Sequence, residues 1–194
     1  MREFDLDMSF PTKKYSIIYA DPPWEYGDKL QHHGGSAESH YDVMKFEDIC
    51  KLPVDTIAAD DCFLFMWGTW PLLPESIKLV SSWGFEYKTI GFVWLKQYST
   101  GKDVFGMGNY TRGNTEFCLM GVKGKPKRID NNVSQLIKST IRQHSKKPDI
   151  VRDKITQLCG DLPRIELFAR TKVHGWDVWG NDEKLEATPL EAYF

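Results

Sequence analysis

Apolar positions in this chain gather into short runs separated by polar, Gly-containing stretches. The run YSIIYA at Tyr15–Ala20 is β-branched and aromatic and reads as a buried strand. It stops at DPPW, because two prolines cannot continue a hydrogen-bonded ladder. DCFLFMW at Asp61–Trp67, YKTIGFVWLK at Tyr87–Lys96, TEFCLMGVK at Thr115–Lys123 and RIELF at Arg164–Phe168 repeat the strand pattern. Helical spacing is found over Lys45–Lys51, over Pro71–Trp83 (ending at Gly84, a good C-cap) and over Pro148–Leu158, where Pro148 suits a first turn. Trp24–Tyr41 and Gln97–Asn114 are polar and read as loops. Gly124–Ser145 carries scattered basic residues with few apolar ones, and the tail over 183–194 is acidic and reads as loose.

Strands alternating with helices predict an α/β sheet. Neither a repeat nor a linker divides the chain, so a single domain over 1–194 is expected, with its core at about 15–182. In such sheets ligands bind beyond the carboxyl ends of the strands. DPPW, the two polar loops and the segment after RIELF all follow strands. Their convergence on one crevice is therefore expected.

Composition narrows the classes. The chain is 41% hydrophobic and 27% charged, which is ordinary for a globular protein. Its formal net charge is −2, so a nucleic-acid site would have to be a local patch. That patch would draw on Lys123, Lys125, Lys127, Arg128, Lys138, Arg142, Lys146 and Lys147, although a solvated basic face is the plainer reading. Cys50, Cys62, Cys118 and Cys159 form no CxxC pair, and His32, His33, His40, His144 and His174 show no metal-ligand spacing. No metal is expected, and the cysteines suggest a reducing compartment. The N-terminus has no apolar signal core, and no apolar run approaches the ~20 residues of a membrane helix. A cytoplasmic protein without membrane contact is the expectation.

By turn chemistry alone, Asp21-Pro22-Pro23-Trp24 reads equally well as a tight turn. Its place at a strand end gives it a chemical reading. The exocyclic amine of adenine is a weak nucleophile because its lone pair is delocalised into the ring. The Asp21 carboxylate and the Pro22 carbonyl could each accept one of its N–H bonds and favour the pyramidal nitrogen of a methyl-transfer transition state. Proline offers only an acceptor and restricts the backbone. Trp24 could stack on the base, and such positioning against a bound donor is where proximity contributes most.

YADPPW also resembles the motif of the MT-A-like adenine-N6 methyltransferases, the family of the catalytic subunit of the eukaryotic messenger-RNA adenosine methyltransferase. FLFMW at Phe63–Trp67, GFVWLK at Gly91–Lys96, EFCLMGVKG at Glu116–Gly124, SKKPD at Ser145–Asp149 and RIELFAR at Arg164–Arg170 resemble its successive blocks, in order. The resemblance implies a Rossmann-like S-adenosylmethionine-dependent methyltransferase fold in permuted (β-class-like) motif order, with S-adenosylmethionine as donor and adenine N6 as acceptor. It implies catalytic roles for Asp21, Pro22, Pro23 and Trp24. Donor contacts fall to Asp21, Lys147, Arg170, Asn181 and Asp182, and acceptor contacts to Trp24, Tyr41 and Glu116.

The chain departs from the family at Lys172, Val173 and Asp182, which puts donor contacts there in question; Asp5 and Asp7 are candidate N-terminal contacts. Without the extensions of larger relatives, the chain looks like a bacterial or phage member, so DNA is expected rather than RNA. A small chain predicts short or relaxed sequence preference, or dependence on a second copy or a partner chain. An RNA methyltransferase and a non-catalytic nucleic-acid-binding partner of an active enzyme stay open as alternatives.

Overall fold

A computed structural model of the chain describes residues 9–24, 43–106, 108, 110–142 and 146–180. In chain order the elements are β1 (Tyr15–Ala20), α1 (Phe46–Lys51), α2 (Val54–Ile57), β2 (Ala58–Gly68), a 3-10 turn (Trp70–Leu72), α3 (Leu73–Ser82), β3 (Glu86–Gln97), β4 (Thr115–Lys123), β5 (Leu136–Thr140), α4 (Ile150–Cys159), β6 (Arg164–Leu167) and β7 (Asp177–Trp179). The strands form one seven-stranded mixed sheet in the order β5-β3-β4-β2-β1-β6-β7. β1 pairs in parallel with β2 and β6, β6 with β7, and β3 with β5. β4 runs antiparallel to both its neighbours, β2 and β3, and is the one reversed strand of this sheet.

The period-two alternation of strand side chains divides the core between two faces. Ile18 and Ala20 of β1, Leu64 and Met66 of β2, Phe117 and Leu119 of β4 and Ile165 and Leu167 of β6 share one cluster with Ile49 of α1, Val54 and Ile57 of α2, and Leu79 and Val80 of α3. Ile17 and Tyr19, Phe63, Phe65 and Trp67, Phe92 and Trp94, and Cys118 share the other with Val151, Ile155 and Cys159 of α4. A sheet covered on both faces explains why its central strands read as continuous apolar runs. Buried Trp83 donates its indole N–H to the Ile49 carbonyl at 2.9 Å, which joins α3 to α1. Gly84, at φ 81°, lets the chain leave α3 in the left-handed region that favours glycine.

β1 and β4 have the bounds expected of them. β2 begins earlier, at Ala58, because pairing with Tyr15 extends it through residues of low strand propensity. Three short elements are not evident in the pattern: α2, β5 and β7. β5, LIKST, is an edge strand that buries only Ile137, so it has no apolar alternation to display. β7 has only three residues. Cys62, Cys118 and Cys159 are buried free thiols, and burial pushes the thiols of Cys62 and Cys159 up to about 12. No helix among the described residues is long and apolar enough to cross a membrane.

Candidate active site

The parallel strands end together along one edge of the sheet, where Ala20 lies beside Met66 and Leu167, and Gln97 beside Thr140. Reversed β4 enters at this edge, so Thr115 and Glu116 lie there too, opposite Leu95 and Trp94. Asp21 leaves β1 at the same edge. The backbone after it is tied down: Trp24 N–H donates to the Pro22 carbonyl at 3.0 Å, and Met44 N–H donates to the Pro23 carbonyl at 2.9 Å. Pro22 O keeps a second lone pair for another donor.

Trp24, expected to stack on an acceptor base, has its ring in the core. It is 7% exposed and stacks on Phe46 with centroids 6.4 Å apart and planes 19° apart. Its indole N–H has no hydrogen-bond partner among the described residues.

Four charged side chains of alternating sign line the edge. Lys96, near the end of β3, donates to Glu116 Oε1. Glu116 Oε2 lies 3.3 Å from Lys147 Nζ, and Lys147 Nζ lies 3.0 Å from Asp21 Oδ1. Lys147 comes from the short segment between β5 and α4, and its ammonium sits 5.7 Å from the centroid of the Trp67 ring. Burial works to lower the Lys147 pKa, but the Asp21 and Glu116 carboxylates outweigh it and hold the pKa above the ordinary lysine value. Burial works to raise the Glu116 pKa, but Lys147 and Lys96 hold it below the usual carboxylate range. Both groups are therefore charged at neutral pH.

A second polar layer supports the first from the α4 face. Arg152 of α4 grips Glu166 of β6 through both carboxylate oxygens, at 2.6 and 2.8 Å, and both residues are buried. Its guanidinium carbon lies 5.8 Å from the Tyr19 ring centroid, and Tyr19 OH accepts the Trp67 indole N–H at 2.6 Å. Asp149, at the start of α4, binds Arg152 at 3.0 Å and Arg142 at 2.7 Å. These contacts anchor the segment that carries Lys147.

The edge thus unites Asp21, Pro22, Glu116 and Lys147 of the expected site, together with Lys96, which sequence reading did not single out. Its signal was weak: a lysine ending a strand more often meets solvent. Arg170 lies three residues past β6, after Phe168, whose φ of 60° is left-handed for a non-glycine residue. The Phe168 ring is held by Trp83 and Trp179, with centroids at 6.5 and 5.5 Å. Tyr41, Asn181, Asp182, Asp5 and Asp7 lie outside the described residues, as do His32, His33, His40 and His144. The basic segment is divided rather than continuous. Lys147 belongs to the edge site, Arg142 binds Asp149, and Lys123 donates to the Asp55 carbonyl. Lys125 and Arg128 join Lys88 around a depression floored by Phe63, Met120 and Val122, toward the other end of the sheet. Among the described residues, no group of three His, Cys, Asp or Glu side chains is placed to hold a metal ion.

The MT-A70 family profile matches residues 15–182, the span from β1 past β7. The chain belongs to the MT-A70 family. It is 44% identical over 197 residues to the type II methyltransferase M.MunI of a Mycoplasma species, an alignment covering 91% of this chain and 82% of that protein. It is 28% identical over 172 residues to the human N(6)-adenosine-methyltransferase catalytic subunit METTL3, and 25% identical over 189 residues to the Arabidopsis thaliana N(6)-adenosine-methyltransferase MT-A70-like. The chain spans only 27% and 25% of the length of those two proteins. The MT-A70 match includes every member of the ion chain, Asp21, Lys96, Glu116 and Lys147. Membership of a methyltransferase family implies S-adenosylmethionine as the methyl donor.

Proposed function

We propose that this MT-A70 chain transfers a methyl group from S-adenosylmethionine to the exocyclic N6 amine of adenine in DNA. The observation that carries the reading is the Asp21–Lys147 pair at the strand ends, 3.0 Å apart and mostly enclosed. Opposite charges side by side fit the amino-acid end of the donor, whose ammonium suits Asp21 and whose carboxylate suits Lys147. Arg170, Asn181 and Asp182 are assigned to the donor ribose, and Tyr41 and Glu116 to the acceptor.

Bound S-adenosylmethionine supplies an electrophilic methyl group on a sulfonium sulfur. The chain's own groups prepare the nucleophile. Asp21 accepts one N–H of the adenine amine and the free lone pair of the Pro22 carbonyl accepts the other. Both bonds strengthen as the nitrogen becomes pyramidal, which is the differential stabilisation that catalysis requires. The hydrogen bond from Trp24 N–H and the bond from Met44 to Pro23 hold these acceptors in place. Trp24 packs into the core against Phe46. The amine proton lost on methylation has Asp21 as its nearest acceptor.

We read the sheet as Rossmann-like and permuted: β1, with the catalytic tetrad, opens the chain order, while β6, which precedes Arg170, comes late. One domain over 1–194 in the cytoplasm is part of the same reading. The 44% identity to a type II methyltransferase supports DNA as substrate. Exposed aromatics at the same edge support nucleic acid generally. Trp70 follows β2, Tyr98 follows β3, and Phe105 and Tyr110 lie between β3 and β4, with the Arg112 guanidinium carbon 5.6 Å from the Phe105 ring centroid. A duplex target would have its adenine flipped out, at a few kcal/mol of unstacking. A second copy or partner chain would supply further recognition.

The test is transfer of labelled methyl to duplex DNA, single-stranded DNA and RNA, followed by nucleoside analysis. N6-methyladenine in DNA is expected. Label confined to RNA would move the substrate, and no label in any polymer, with no donor binding, would favour a non-catalytic partner.

A further inference from the structure

Lys96 is the one member of the edge ion chain that the donor and acceptor assignments leave unused. It lies on the same sheet face as Trp94, which stands opposite Glu116 in the β3–β4 register, and its ammonium sits 5.2 Å from the Trp94 ring centroid. From there it takes Glu116 Oε1, while Lys147 meets Oε2 at 3.3 Å. Glu116 is therefore bracketed by two ammonium groups, one for each oxygen. With Lys96 present, two cations balance the two carboxylates of Glu116 and Asp21. Without it, Lys147 alone of the two lysines would remain to balance both carboxylates, in a partly enclosed site where water stands in less well for the missing charge.

We infer that Lys96 is a positioning residue: by holding Glu116 through Oε1, it prevents Glu116 from capturing Lys147 and leaves that ammonium available to the carboxylate of the methyl donor. The inference rests on the donor assignment above and adds a residue to it. Glu116 keeps its charge because of its lysines, against its own burial. Removing one lysine leaves an ionised, enclosed carboxylate that must draw the other closer. Among the described residues, the charged groups that meet Glu116 are Lys96 from β3 and Lys147 from the segment before α4, with Asp21 reached through Lys147. Cys118, two residues along β4, is influenced by Asp21 and Lys147.

The experiment is calorimetric titration of S-adenosylmethionine into the full chain and its variants, with melting temperature recorded for each. Lys96→Met is expected to weaken donor binding about tenfold at neutral pH. Its defect should shrink on acidification, because Glu116, no longer held down by Lys96, then protonates more readily and releases Lys147. The unaltered chain should lack this acid-dependent gain. Lys96→Arg should restore most of the binding. In a Glu116→Gln background, Lys96→Met should have little further effect. If Lys96→Met lowers the melting temperature sharply, Lys96→Gln provides the same comparison. Unchanged donor binding in Lys96→Met overturns the inference. So does a defect equal at both pH values and undiminished in the Glu116→Gln background, since that is the mark of a merely structural lysine. Absence of donor binding by the unaltered chain would overturn the donor assignment, and this inference with it.

Discussion

Lys147 places its ammonium 3.0 Å from the carboxylate of Asp21, although Asp21 directly follows β1 and Lys147 comes only after β5. The contact joins the end of β1, the first strand in chain order, to the segment that leads into α4. It makes a partly buried zwitterionic pair at the point where the strands end.

Removing Lys147 should abolish donor binding and leave Asp21 and Glu116 facing one another. Lys147→Met is expected to lose donor binding in calorimetry and to cost about 3 kcal/mol in urea unfolding at neutral pH. The stability loss should be smaller in acid, where Glu116, with Lys147 gone, takes up a proton more readily. Donor binding retained at its original affinity would contradict the assignment of Lys147.

Arg152 and Glu166 form a buried bidentate pair below the site. Breaking such a pair from one side leaves an uncompensated charge, at a cost of about 3–5 kcal/mol. Arg152→Met and Glu166→Leu should each unfold at lower urea concentration. The double variant should cost clearly less than the sum of the two. Additive losses would mean that the two side chains do not act as a unit.

The pH dependence of stability follows from Glu116. Its lysines depress its pKa from the ordinary 4.5, so the stabilisation is present above that value and is lost as pH falls through the depressed one. The unaltered chain should therefore lose stability more steeply below about pH 4.5 than Glu116→Gln. Taking the difference between the two chains cancels other groups such as Glu166, whose pKa burial raises. Parallel profiles would contradict the charge chain.

Much of this site was legible in the sequence, and what was missed shares one cause. YSIIYA and TEFCLMGVK read as strands because they are buried on both faces, and DPPW marked the strand end. The motif blocks pointed to Glu116 and Lys147 as site residues. Lys96 and β5 were not legible because neither carries a local pattern. Lys96 acquires its role only from the register that sets Trp94 opposite Glu116, and β5 exists because β3 offers it an edge. Trp24 was read as a base-stacking surface from its motif, but the packing of Phe46 and Met44 decides where its ring lies.

That placement makes a prediction of its own. Trp24→Ala should cost about 3–5 kcal/mol through the cavity it leaves, while Trp24→Phe should keep both fold and donor affinity. Urea unfolding and calorimetry check the two. A stable Trp24→Ala chain that had lost only acceptor binding would restore the stacking role.

The most direct measurement of the central claim is single-turnover methyl transfer to an adenine-containing DNA by the unaltered chain and by Asp21→Ala, with melting temperatures recorded for both. The unaltered chain should form N6-methyladenine. Asp21→Ala should remain folded and lose at least about a hundredfold in rate, since it removes the acceptor that holds the amine. Full activity in folded Asp21→Ala would contradict the assignment of the carboxylate at the end of β1 as the catalytic group.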